Sequence, residues 1–179
     1  SDRHSAEGVI LAAAAQADRV MFLSGISGVG DISNTRITLG IKKKSPMLYH
    51  TFAEVMGLSP AVAAERFRLG REIAVRFRQE GLPATLSPHA PYSLSSSLWD
   101  LISADPEMAT LISIHHDESL DERELLEYGN GPMADAFREM GLDPSGIPAE
   151  ASSLTRLLDA YLPRAVCLAV HNTISPREK

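Results

Sequence analysis

Apolar residues along this chain alternate between helical spacing and short continuous runs, and each switch marks a new element. The first stretch carries Val9, Ile10, Ala13, Ala17, Val20 and Met21 at three-to-four spacing, with Ser5 placed to cap it and Gly25 to stop it. A strand over about residues 26–31 follows, then a polar loop through Asn34 and Lys42-Lys43-Lys44. Residues 47–56 predict a second strand, rich in β-prone Tyr49, Thr51, Phe52 and Val55. Ser59-Pro60 opens a long helix that Gly81 closes. The alternation continues with a strand over 84–89, a helix begun at Ser95 with Leu98, Trp99 and Ile102, and a strand over 111–116. Ser119 and Glu122 form a capping-box pair for the next helix. Helical stretches over 132–140, ending at Gly141, and over 153–162 lead to a last strand over 165–170.

Five strands separated by helices imply a parallel sheet with right-handed crossovers, either doubly wound or part of a barrel. The strand faces help to decide. Thr85, Ser87 and His89 share one face, Ser113 and His115 another, and Cys167, Ala169 and His171 a third. The opposite faces are mostly apolar. A sheet covered on both sides should be apolar on both faces. A barrel interior leading to a polar site at the C-terminal strand ends fits this pattern better.

A chain of 179 residues is one domain's worth, and its hydrophobic and charged fractions are ordinary for a soluble globular protein. The net charge of −6 and pI near 5.5 argue against nucleic acid as a main partner. The lysine run reads as a solvated loop. Cys167, the one cysteine, reads as a small core residue, and alone it excludes the cysteine-ligated zinc deaminases. No signal-peptide pattern opens the chain and no apolar run is long enough to cross a bilayer, so the expectation is a reduced, cytoplasmic protein without a membrane partner. Gly25, Gly28 and Gly30 lack the Lys-Ser/Thr pair of a phosphate loop, and no Gly-x-Ser-x-Gly elbow is present.

The candidate chemistry lies at three strand ends, His89, His115 and His171. Neutral imidazole is a common ligand for zinc and iron, and a bound metal makes water nucleophilic near neutral pH. Glu118, three residues after His115, can take that water's proton and pass it to a leaving amine. His115 and His171 are then ligands and Glu118 the shuttle. Strand alternation turns His116 toward the helices, away from this set.

These residues resemble a known family. Ser87-Pro88-His89-Ala90-Pro91-Tyr92-Ser93, His115-x-x-Glu118 and Val170-His171-Asn172-Thr173 resemble successive blocks of the amidohydrolase superfamily, in its branch of cytosine, guanine and adenosine-type deaminases and related chlorohydrolases. Gly30-Asp31-Ile32-Ser33-Asn34 and Phe52-x-Glu54-Val55-Met56-Gly57 also resemble that branch, and the five blocks stand in the family's order. The resemblance implies a metal-dependent (β/α)8 barrel that hydrolyses a C–N bond on a heterocycle. It implies that His115 and His171 are metal ligands, Glu118 the acid/base residue and His89 a substrate contact. The metal would be zinc or iron, and the substrate an aminopurine-like base or nucleoside. Among such substrates the blocks resemble most those of aminodeoxyfutalosine deamination. Glu54 receives no role.

Two departures shape the expectation. The family has a His-x-His pair on its first strand and an aspartate on its eighth, and this sequence has no His-x-His and reaches only the sixth strand. Residues 1–179 are therefore expected to be a single partial barrel domain, strands two to six of a longer enzyme. Alone it should be inactive, because zinc sites take three or four protein ligands, and its open sheet edges favour self-association. Dechlorination, amide hydrolysis and a non-catalytic binding module are the alternatives.

Overall fold

The computed structural model describes residues 2–175, with side chains from residue 6 onward, so the side chains of His4 and Ser5 lie outside the described residues. The chain runs α1 (Asp2–Leu23), β1 (Gly28–Ser33), α2 (Leu39–Lys44), β2 (Leu48–Val55), α3 (Ala63–Gln79), β3 (Ala84–Pro88), α4 (Ser96–Ser103), β4 (Leu111–His116), α5 (Leu120–Tyr128), α6 (Pro132–Glu139), α7 (Leu154–Tyr161) and β5 (Val166–His171). A single 3-10 turn at Pro60–Val62 leads into α3, where Ser59-Pro60 predicts the start. Ser95 and Ser119 cap α4 and α5 through their hydroxyls, accepting from the amides of Leu98 and Glu122. No helix among the described residues is long and apolar enough to cross a membrane.

All strand pairings are parallel, and they form two ladders, β1-β2-β3 and β4-β5. Side chains join the two. The Ser87 hydroxyl donates to the Ser113 carbonyl and accepts from the Ser113 amide at 2.7 Å, while Thr85 Oγ1 donates to the Leu111 carbonyl. One backbone bond, His115 N–H to the His89 carbonyl at 2.9 Å, completes the seam. These bonds satisfy buried backbone groups that a regular ladder would otherwise pair.

One sheet face is apolar. Ala53, Val55, Ala84, Leu86, Ile112 and Ile114 meet Ala74 and Phe77 of α3, Leu98, Trp99 and Ile102 of α4 and Leu157 of α7 in one core. Gly70 lets α3 sit directly on the sheet, because a Cβ there would meet Val55 Cγ1 at 2.2 Å. The other face carries His50, Phe52 and Glu54 on β2, Thr85 and Ser87 on β3, with His89 just beyond, and Ser113 and His115 on β4. Gly30 on β1 makes room for the Phe52 ring, which lies 3.1 Å from where a Cβ would stand.

Three expectations need correction. The lysine run is not a solvated loop: it forms α2, and Lys42 is buried. Its ammonium pairs with Asp31 at 2.5 Å, donates to Thr51 Oγ1 at 2.9 Å and lies 4.6 Å from the centre of the Phe77 ring. Burial lowers its pKa, and the Asp31 partner works against that shift. Residue types alone do not reveal which lysine of three meets a partner. In α1 the half-buried residues are Leu11, Ala14, Asp18 and Met21, while Val9, Ile10 and Val20 are exposed, so the packed face is rotated from the predicted one. Helical spacing fixes a stripe only where apolar residues are confined to one, and here they ring the helix.

The third correction concerns β5. Its register pairs Ile112 with Cys167 and His115 with Val170, so Cys167 faces the helices beside the core and Val166 and Leu168 take the opposite face. His171 does not follow Cys167. The strand leaves extended geometry there, with φ of 75° at His171 and 49° at Asn172. That turn brings its ring to His115.

Candidate functional site

The C-terminal strand ends gather three imidazoles and two carboxylates. His89 follows β3, where its amide donates to the Val55 carbonyl at 3.0 Å. Its Nδ1 lies 3.0 Å from Ser93 Oγ, and Ser93 Oγ also donates to the Ala90 carbonyl at 3.0 Å. With the hydroxyl proton used on that carbonyl, His89 Nδ1 carries the ring proton and Nε2 keeps its lone pair. Burial holds the His89 pKa below the usual histidine range, with Glu54 pulling the other way.

His115 stands at the centre. Its ring centre is 4.9 Å from that of His89 and 5.0 Å from that of His171, on which it stacks. Its Nδ1 is 2.9 Å from His171 Nε2, and its Nε2 is 3.9 Å from Glu54 Oε1. Glu118 Oε2 lies 3.5 Å from His171 Nε2. The structure thus brings all four predicted residues, His89, His115, Glu118 and His171, to one place. His116 faces away and meets Asn172 Oδ1 at 3.0 Å.

Two loops hold this arrangement. After β4, Asp117 adopts φ of 52°, and both carboxylate oxygens of buried Glu122 accept backbone amides, Asp117 N–H at 3.0 Å and Glu118 N–H at 2.9 Å. The capping-box glutamate therefore reaches past its cap to fix the turn that carries Glu118. Asp117 in turn binds Arg123 at 3.0 Å and the Ser175 hydroxyl at 2.6 Å, and Arg123 donates to the Ile174 carbonyl at 2.8 Å. Asn172 N–H donates to the His116 carbonyl at 2.9 Å. The loop after β5 is thereby tied to the loop after β4. Three non-glycine residues with positive φ, Asp117, His171 and Asn172, all lie here, where backbone strain commonly concentrates.

Sequence reasoning left Glu54, Tyr92 and Glu122 outside the site. Glu54 is recognisable in hindsight as a carboxylate at strand parity with His50, on the polar face of β2. Tyr92 meets His89 edge-on at 6.0 Å, and burial with the nearby glutamates pushes its pKa up to about 12. Donor chemistry here suits a divalent metal: imidazole nitrogens and carboxylate oxygens converge, and Glu54, His89 and His115 each offer a ligand atom within 4.8 Å of the others.

No family model matches the chain. An adenosine deaminase of Helicobacter pylori (strain ATCC 700392 / 26695) is 32% identical over 110 residues, which is 60% of this chain and 27% of that protein. The crystal structure of H. pylori aminofutalosine deaminase superposes with a TM-score of 0.69 at 21% identity, covering 86% of this chain and 45% of that one. The same enzyme in complex with methylthio-coformycin gives a TM-score of 0.65 at 22% identity, covering 87% and 44%. The chain spans less than half the length of each of these relatives. Over the matched part, this α/β chain with its parallel sheet is similar to deaminases of the amidohydrolase type in sequence and in fold.

Proposed function

We propose that this chain is the middle part, about strands two to six, of a (β/α)8 metal-dependent hydrolase that deaminates an aminopurine-like base or nucleoside in the cytoplasm. The observation that carries the reading is the convergence of His89, His115, Glu118 and His171 at one end of a parallel sheet, on the blocks shared with deaminases. His115 and His171 would hold the metal, zinc or iron. When bound, a divalent metal supplies the Lewis acidity that makes water nucleophilic near neutral pH.

The remaining chemistry belongs to the side chains. Glu118, half-exposed and beside His171, accepts a proton from the attacking water and delivers it to the departing amine. His89, its Nδ1 proton held by Ser93, presents Nε2 as an acceptor toward the heterocycle. Glu122 holds the Glu118 amide and so sets where the shuttle stands.

The test uses the longer protein that contains this chain. Ammonia release from a panel of aminated purines and nucleosides should depend on added zinc or iron. Glu118→Gln should lower kcat by about 100-fold or more, the usual share of a general acid–base group. Normal turnover by that variant would overturn the reading.

A further inference from the structure

The Glu54 carboxylate is the one acidic group at the strand ends without a strong partner. Its side chain is only 10% exposed. Its polar neighbours are the Asn34 amide, 3.4 Å from Oε2, and His115 Nε2, 3.9 Å from Oε1. Among the described residues no lysine or arginine pairs with it. A carboxylate drawn this far from water is costly unless a cation or close donors meet it.

We propose that Glu54, His89 and His115 form a divalent transition-metal site that this chain supplies by itself. The assignment rests on reading this mouth as a metal site, shares His115 with the pair named above, and adds two ligands to it. Three adjacent strands present the three groups: Glu54 at the end of β2, His89 just after β3 and His115 near the end of β4. Two metal–ligand bonds of about 2 Å span at most about 4 Å, and the 3.9 Å gap between Glu54 and His115 falls inside that reach. Ligand atoms of a tetrahedral site stand about 3.4 Å apart, so small side-chain rotations close the set from its present spacing within 4.8 Å. The Ser93 contact already fixes His89 in the tautomer that leaves Nε2 unprotonated. Two neutral imidazoles and one carboxylate bind the cation through lone pairs, and the count of three leaves a coordination position open. Three protein ligands also lift the chain above the two-imidazole set that the sequence suggests.

The experiment is a titration of the 179-residue chain with Co²⁺, followed by visible absorption, and with Zn²⁺ in competition with a chromophoric chelator. The expected result is one metal per chain. Glu54→Gln and His89→Gln should each weaken binding by at least about 10-fold, the loss that removing even an outer partner produces, and His171→Gln should weaken it less than either. Circular dichroism identifies folded variants, and His89→Gln decides the matter if Glu54→Gln does not fold. Absence of stoichiometric binding would overturn the proposal. So would a Glu54→Gln protein that binds like the parent while His171→Gln does not, a result that leaves the deaminase reading standing. Failure of that reading is seen separately, as absent ammonia release by the longer protein.

Discussion

Strands β3 and β5 are both short, both parallel to their neighbours, and both lead into a histidine at the strand ends, yet they live in different environments. Every residue of β3 is buried, between β2 on one side and the seam to β4 on the other, under α3. No residue of β5 is fully buried, and among the described residues it is hydrogen-bonded to β4 alone. Val166 is 63% and Leu168 48% exposed, although both are as apolar as Leu86. Position in the sheet, rather than composition, decides how much each side chain contributes. The imidazole after β3 therefore stands on a packed foundation, whereas His171 owes its place to hydrogen bonds between loops.

The largest test of this contrast is truncation. Leu86→Ala should cost about 2–5 kcal/mol, because it removes a fully buried side chain beneath α3, and Leu168→Ala should stay below about 1 kcal/mol. Denaturant midpoints compare the two, and equal losses would erase the distinction. Next comes Glu122→Ala, which strips the amides of Asp117 and Glu118 of their acceptors and should cost about 1–3 kcal/mol. Faster amide exchange at those two positions, with β3 unchanged, would localise the loss.

Arg123→Ala removes the link from Asp117 to the Ile174 carbonyl. Its partly exposed ion pair should be worth no more than about 1 kcal/mol. The sharper readout is local: His171 ring resonances should broaden while those of His89 hold. The gentlest expected effect is a pH slope. Burial first, and then Arg78, hold the His50 pKa below its ordinary 6.5, so the folded state binds its proton less readily than the unfolded state. The stability His50 contributes is complete above pH 6.5 and is lost as pH falls through the folded value. His50→Gln should flatten that part of the curve in thermal melts, and an unchanged slope would exclude His50 as its source.

Much of this architecture was legible before any coordinates, and the failures have specific physical causes. β4 runs over residues 111–116 as periodicity predicts, because alternation and burial agree there. The hydroxyl caps at Ser95 and Ser119 follow from local chemistry that tertiary contacts do not override. Alternation also separated His115 from His116, since both lie within a regular strand. It failed at His171, where two residues of positive φ break the period on which the inference depends. Lys42 was hidden because a charge run shows neither which member turns inward nor that Asp31 and Phe77 await it. Glu54 carried no motif of its own. Its meaning came from His89 and His115, which the fold draws in from distant sequence.

The seam between the ladders has a mechanical consequence. A continuous β ladder resists shear by many parallel backbone bonds, whereas this one is spanned mainly by the hydroxyls of Ser87 and Thr85 and a single amide at His115. The two halves are thus joined like plates along a hinge line, with Glu54 and His89 on one plate and His115 and His171 on the other. A cation gripping Glu54, His89 and His115 would act as a rivet through both. Its arrival should then register first as stiffening along the seam, in slower amide exchange at Ser113 and His115.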